Sequence, residues 1–163
     1  MKQGQILVAD KQDVYVLKLV GDVRLTLSTT LEQCMQKMLA AEHYQHVVVD
    51  LTDADGLDST TLGLLAKLSI QVQKLQHYVP LLVWRSPDIQ RVLLSMGFAD
   101  TVYQMVDKSD LVAAPVEAIE AVASDEEEIR TQVLDAHRVL MSLNETNEHT
   151  FRDLVCALEQ GQC

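Results

Sequence analysis

Residues 47–63 read VVVDLTDADGLDSTTLG and carry three successive local signals. The apolar, β-branched run that ends at Asp50 predicts a strand buried on both faces, because such strands read as continuous apolar segments. A loop rich in acid follows, with Asp53, Asp55 and Asp58. Ser59 then opens a segment of helical character. The stretch therefore predicts a strand, an acidic loop and a helix whose first turn presents a hydroxyl group.

The flanking sequence extends this pattern into an alternation of strands and helices. The order β-β-α-β-α-β-α-β-α follows from strands at 5–9, 14–20, 47–51, 81–84 and 101–105 and helices at 28–41, 62–77, 88–95 and 109–123. Such alternation implies right-handed crossovers between parallel strands. We therefore predict an α/β fold with a mixed, largely parallel β-sheet and packed α-helices. Gly97 is expected to end the third helix.

The character of the chain changes at Ser124. The apolar residues of the next segment recur every three or four positions, which predicts an amphipathic helix: Ile129, Val133, Ala136, Leu140 and Leu143. A polar break at 144–147 precedes a second short helix over 150–160. We therefore divide the chain into a domain at 1–123 and an acidic helical hairpin at 124–163. The apolar faces of the hairpin require burial against the main domain, a partner, or a second copy in a homodimer.

Composition excludes several classes of function. The net charge of the 163-residue chain is −11, which disfavours binding to nucleic acid and to anionic membranes. No run of about 18 apolar residues predicts a membrane span, and no signal peptide is apparent. We expect a cytoplasmic protein.

The sequence shows no convincing site for a metal, a cofactor or catalysis. The loop after Asp53 has Leu64 where a calcium loop needs its twelfth-position glutamate. No phosphate-binding glycine loop occurs, and the three cysteines lack zinc-site spacing. His137, on the tail helix, is expected to be solvated. Ser59 has no histidine near it in sequence to activate it, so we expect a protein that is not an enzyme.

An ordered set of motifs resembles the STAS domain of bacterial anti-sigma factor antagonists. The set comprises Gly21-Asp22-Val23, the strand ending in Asp-Leu, Asp58-Ser59-x-x-Leu62-Gly63, and a Ser-Pro helix start followed by Met96-Gly97-Phe98. It spans about residues 1–123 in the family's order. The helical extension at 124–163 lies beyond the usual small domain.

The resemblance implies a partner switch. It implies that Ser59 is phosphorylated by an anti-sigma factor with serine kinase activity, and that a serine phosphatase reverses the modification. The unphosphorylated form would bind the anti-sigma factor and free the sigma factor, as in bacterial stress responses. Asp22, Asp58, Thr60 and Gly63 are expected to line the docking surface. Arg24 stands where family members often carry an acid, so the kinase contact is expected to differ here.

A second interpretation stays open at this point. STAS-like domains also serve as scaffold subunits of sensory complexes or lipid transporters, and in these Ser59 would only cap its helix. Serine is a favoured capping residue, so the local sequence suits this role equally well.

Overall fold

The computed structural model describes residues 2–11, 13–41, 44–99, 101–107 and 117–160. Seven strands and five α-helices occur within these ranges. The strands are β1 (Gln5–Lys11), β2 (Val14–Val23), β3 (His46–Asp50), β4 (Ala54–Leu57), β5 (Leu81–Trp84), β6 (Gln104–Asp107) and β7 (Glu117–Ala118). The helices are α1 (Ser28–Ala41), α2 (Ser59–Gln76), α3 (Pro87–Ser95), α4 (Glu126–Leu143) and α5 (Glu145–Gln160). A single 3₁₀ turn, Leu25–Leu27, leads into α1.

The strands form one mixed sheet in the order β6-β5-β3-β2-β1-β7, with β4 paired to the end of β2. Strands β2, β3, β5 and β6 run parallel, β4 is parallel to β2, and β1 is antiparallel to both β2 and β7. The α/β fold with a largely parallel sheet is therefore confirmed. The antiparallel start follows from the register that pairs Lys11 with Val14, since parallel neighbours need a longer crossover.

The central strands owe their position to their side-chain patterns. Side chains of β2 alternate between buried and half-buried, while Val47, Val48 and Val49 of β3 are all buried. The apolar side chains of α1 and α2 complete the same core, with Leu64, Leu65 and Leu68 fully enclosed. Consequently, the end of β3 and the start of α2 are held by a rigid core.

Three expectations about local structure need correction. The stretch 54–57 was expected to be loop, but it forms β4, because Gly21 carries a φ of 76° and shifts the register of β2 so that its end can pair there. The last strand of the alternating strands and helices lies at Gln104–Asp107 rather than at 101–105. The prediction of a helix at 109–123 is wrong over the residues that the structure describes. Residues 117–118 pair with β1, and residues 119–125 are not helical. Residues 108–116 lie outside the described part.

The two tail helices exist, and they fold against the main domain. Helix α4 packs along α2 and contacts α1, while α5 packs back on α4. The break between them is shorter than expected, since Asn144 alone separates α4 from α5. Ala136 and Leu140 are completely buried, so the apolar stripe of α4 finds its burial within this chain.

Candidate functional site

The site lies where the end of β2, the end of β4 and the first turn of α2 meet. Asp58 is the N-cap of α2: its Oδ1 accepts the backbone N–H of Thr61 at 2.8 Å. Its Oδ2 accepts the backbone N–H of Leu25 at 2.7 Å. One carboxylate thus satisfies a free helix donor and ties the helix to the loop after β2. Ser59 is the first helical residue and does not cap α2, so the expectation that its hydroxyl serves only as a cap is wrong.

The acids of the loop have separate roles. Asp53 forms an ion pair with Lys18, its Oδ2 lying 2.8 Å from Nζ, and this bond holds the pKa of the Asp53 carboxyl below its usual value. Asp55 accepts the backbone N–H of Lys2 at 3.3 Å. Of the three acids, Asp58 alone caps the helix that Ser59 begins. Hence Asp53 pairs with β2 and Asp55 with the backbone of Lys2, which precedes β1.

Asp22 lies at the end of β2 and faces Arg24. The Nε of Arg24 donates to Asp22 Oδ2 at 2.7 Å, and this hydrogen bond raises the pKa of the Arg24 guanidinium. The other oxygen of Asp22 is buried and has no hydrogen-bond partner among the described residues. It packs against Gly56, where an added Cβ would lie 2.9 Å from it. The basic residue that departs from the family pattern therefore pairs with the acid two positions before it.

The structure brings together the four residues expected to form the docking surface. The backbone N–H of Asp58 donates to the carbonyl of Val23 at 3.4 Å, which joins the Asp22 loop to the start of α2. Thr60 is 2% exposed. Gly63 is also buried, and its neighbour is Ala136 of α4: a Cβ built on Gly63 would lie 2.6 Å from the carbonyl carbon of Ala136 and 2.7 Å from its Cβ. Helix α4 thus passes directly over part of this surface.

Ser59 itself is hydrogen-bonded to a residue of the tail. Its Oγ lies 2.7 Å from Nε2 of His137. The Nδ1 of the same ring lies 2.6 Å from the carbonyl oxygen of Val133. A carbonyl only accepts, so Nδ1 carries the proton; in the neutral imidazole Nε2 is then the acceptor and Ser59 donates. His137 is 2% exposed and packs edge-on against Phe151 at a centroid distance of 5.1 Å. The expectation of a solvated His137 is therefore wrong.

Further polar contacts fix α4 on the N-terminal side of His137. Gln132 Oε1 accepts hydrogen bonds from the hydroxyls of Ser28, at 2.5 Å, and Thr29, at 3.0 Å. Lys67 of α2 bridges Asp135 of α4 and Glu32 of α1, at 2.8 Å to each. Partial burial works against the charge of Lys67, but the hydrogen bonds to the two carboxylates prevail and raise its pKa. Helix α4 is thus seated by groups from both α1 and α2.

A cavity of about 820 Å³ opens on another face of the hairpin, between α4 and α5. Arg130, Leu134, Arg138 and Leu158 line it together with acidic side chains. It does not include Ser59 or His137. Arg138 is bonded to Glu159 across it, with the NH2 of Arg138 2.5 Å from Oε1. The cavity therefore belongs to the hairpin rather than to the site around Ser59.

The fold and these motifs match a known family. The family model of the STAS domain matches residues 5–111, so this chain belongs to the STAS domain family. The expected resemblance is confirmed. Helices α4 and α5 lie beyond the matched residues. A search of the curated proteins finds no match.

Several solved structures share the fold. An anti-sigma factor antagonist from Mycobacterium paratuberculosis is 24% identical with a TM-score of 0.57, over 67% of this chain and 88% of that one. The Bacillus cell fate determinant SpoIIAA in its phosphorylated form is 14% identical with a TM-score of 0.53, over 66% and 93%. SLC26A9 is 16% identical with a TM-score of 0.50, over 66% of this chain but 23% of that much longer one. At these identities the likeness shows the STAS fold.

Sequence reasoning missed the contact between Ser59 and His137. The two residues are 78 positions apart, and only the docking of α4 joins them. One signal was available: His137 adjoins Ala136 and lies between Val133 and Leu140 on the apolar stripe, where a polar residue needs a buried partner. Among the described residues no helix is long and apolar enough to cross a membrane. The same part of the chain holds no cluster of three potential metal ligands.

Proposed function

We propose that this chain is an anti-sigma factor antagonist that acts by partner switching, with Ser59 as its phosphoacceptor. In its unphosphorylated form it binds an anti-sigma factor with serine kinase activity, which releases the sigma factor. Phosphorylation of Ser59 abolishes that complex, and a serine phosphatase restores it. Location in the cytoplasm and a role in a stress response belong to the same proposal.

One observation supports this proposal most directly. Asp58 caps α2, so the hydroxyl of Ser59 is not needed for capping although it sits in the first turn. A phosphoryl group there would add roughly −1.5 to −2 charges near the positive end of the helix dipole. The helix would tolerate that charge. The neighbouring carboxylate of Asp58 would add to it, so that the surface potential becomes more negative. Ser59 can therefore act as a switch without being required for the fold.

The docking surface of this proposal comprises Asp22, Asp58, Thr60 and Gly63. Arg24, which is exposed and bonded to Asp22, gives the rim of this surface a positive group. A partner that meets Arg24 must therefore offer a different local charge than one that meets an acid. This difference would make the pairing with the cognate partner selective.

A STAS scaffold is the alternative within the same family. The likeness to a segment of the much longer SLC26A9 chain supports it, because a STAS unit there forms part of a larger protein. A scaffold subunit of a sensory complex or lipid transporter would not need a reactive Ser59. Its binding to partners would be unchanged by Ser59→Asp, which separates the two functions.

A hydrolase is a second candidate, and the Ser59–His137 bond is what favours it. An imidazole that accepts a serine proton at 2.7 Å while its other nitrogen is held by a carbonyl has the arrangement of an activated nucleophile. Against it, His137 is 2% exposed, so a substrate would reach the imidazole only after α4 moved. Ester hydrolysis by the purified chain that is lost in both Ser59→Ala and His137→Ala would establish this function.

The partner-switch proposal is tested by comparing Ser59→Ala with Ser59→Asp. Each full-length variant is used to capture partners from cell extract, and the partner is then purified for calorimetric titration. We expect Ser59→Ala to bind and Ser59→Asp to bind at least about tenfold more weakly, equivalent to about 1.4 kcal/mol. His137→Ala is the control, because it also breaks the Ser59 bond but keeps the hydroxyl. Equal affinities of the two Ser59 variants would refute the proposal.

A further inference from the structure

Helix α4 covers the surface that a partner of Ser59 would need. Its His137 accepts a hydrogen bond from the Ser59 hydroxyl, its Ala136 packs against Gly63, and its Asp135 forms an ion pair with Lys67. Two of the four proposed docking residues, Thr60 and Gly63, are buried in this arrangement. Ser59 is half-buried, and its hydroxyl is engaged by His137 while α4 stays in place, so a kinase or an anti-sigma factor that needs this hydroxyl competes with α4.

We propose that the α4–α5 hairpin is a built-in competitor for the partner-docking surface, so that Ser59 is available only when the hairpin has left it. This inference rests on the proposed function and adds a closed state to it. In the closed state the chain binds its own α4. In the open state the same surface binds the partner, and Ser59 can be phosphorylated.

Geometry makes a phosphorylated Ser59 incompatible with the docked hairpin. In the side-chain rotamer that Ser59 adopts here, the 2.7 Å between its Oγ and His137 Nε2 holds one hydrogen bond and leaves no room for phosphorus and its three further oxygens. His137 cannot simply turn aside, because Val133 holds its Nδ1 and Phe151 covers its ring. Helix α4 must therefore move as a unit. Once Ser59 is phosphorylated, the hairpin cannot close again.

The contacts of α4 are of the kind that allows reversible association with α1 and α2. Gln132 and Asp135 accept hydrogen bonds from side chains of α1 and α2 that are only partly buried, and such bonds are individually modest. Leu140, by contrast, is fully buried and would become exposed on opening. That exposure favours the closed state, so opening needs a partner or a phosphoryl group to stabilise it.

The closed state also indicates what the competing partner should present. Its contact must be a small residue or backbone at Gly63, because α4 meets this glycine with Ala136. It should offer a carboxylate to Lys67, which otherwise keeps only Glu32 when Asp135 departs. A helix with an acid beside a small residue meets both requirements.

The first experiment needs no partner. Phosphoserine is installed at position 59 of the full-length chain during translation, and hydrogen exchange is followed by mass spectrometry. We expect amides of 126–143 to lose most of their protection while those of β2 and β3 keep it. Phosphoserine at position 142, on the exposed side of α4, is the control and should leave α4 protected. Full protection of α4 beside phosphorylated Ser59 would overturn the inference.

The second experiment measures the competition itself. Ala136→Leu adds bulk against Gly63, and the double variant Gln132→Ala/Asp135→Ala removes polar links without adding bulk. If the hairpin is docked about 90% of the time, each opened variant should bind the purified partner about tenfold more tightly. Ser142→Leu is the control and should bind like the wild type.

The outcomes separate the inference from the function on which it rests. Unchanged affinity in variants whose α4 has lost exchange protection would refute the competition but leave the partner switch intact. Equal binding of Ser59→Ala and Ser59→Asp would refute the partner switch. The exchange experiment with phosphoserine would still decide whether the hairpin and a phosphoryl group exclude each other.

Discussion

The substitution Gly63→Ala tests how closely α4 packs on α2. In an isolated helix this change should stabilise by about 0.8–1.0 kcal/mol, because glycine is the poorer helix former. In this chain the new Cβ would lie 2.6 Å from the carbonyl carbon of Ala136, whereas ordinary contact begins near 3.4 Å. The nearest obstacle is the backbone carbonyl oxygen of Ala136, which lies closer still, so α4 has to retreat by at least about 0.8 Å.

That retreat sets the size of the effect. It would stretch the 2.7 Å bond between Ser59 and His137 to about the 3.5 Å limit of a hydrogen bond or beyond it. Overpacking of this kind costs about 1–3 kcal/mol, which offsets or exceeds the gain in helix propensity. We expect the free energy of unfolding to stay level or to fall by up to about 2 kcal/mol, with α4 losing exchange protection and α2 keeping it.

The assay is urea denaturation combined with hydrogen exchange on the full-length chain. Thr131→Ala, on the exposed face of α4, is the control for exchange in that helix and should leave its protection unchanged. If Gly63→Ala stabilised the chain by about 1 kcal/mol with α4 fully protected, the close contact between Gly63 and Ala136 would be refuted.

Four further predictions concern Asp58, Lys67 and Cys34. Asp58→Ala removes the cap of α2 and the bond to Leu25, and we expect a loss of about 1–2 kcal/mol in urea denaturation; a change under about 0.3 kcal/mol would contradict the capping role. Lys67→Met removes the ion-pair partner of Glu32 and, among the described residues, leaves that carboxylate only the hydrogen bond from Gln36, so we expect a lower melting temperature that Lys67→Met/Glu32→Gln partly restores; no recovery would contradict this pairing. Because the pKa of Lys67 is raised above its ordinary 10.5, its stabilising contribution should be constant from pH 7 to about 9.5 and be lost only as pH rises through the folded value. A wild-type advantage over Lys67→Met that faded between pH 7 and 9 in thermal melts would contradict that sign. Cys34 is buried beside a hydroxyl group, and burial raises the pKa of its thiol. Alkylation at pH 8, mapped by mass spectrometry, should therefore leave native Cys34 largely unmodified. Rapid labelling would contradict its burial.

Much of the fold was predictable because local signals and global topology agree in this chain. The apolar run at 47–49 and the three-and-four spacing in α2 each fixed an element type, and alternation of elements then predicted a largely parallel sheet. Strand β4 was not predictable in the same way. It has four residues, includes Asp55 and Gly56, and exists only because the end of β2 offers it a partner.

The site was predicted in part for the same reason. Asp58 and Ser59 are adjacent, so the helix start could be recognised from local sequence, although which of the two caps it could not. The docking of α4 depends on contacts between residues more than 60 positions apart, such as Lys67 with Asp135. A helical stripe shows that a face needs burial but not which surface covers it. His137 was therefore misjudged, since its burial is a property of the assembled hairpin.

The central claim is that Ser59 is the residue that the partner modifies. The most direct measurement is mass spectrometry of the full-length chain after incubation with the purified anti-sigma factor kinase and ATP. We expect one phosphoryl group on Ser59, none on Ser59→Ala, and faster modification when Ala136→Leu has displaced α4. A phosphoryl group on another residue, with Ser59 unmodified, would contradict it.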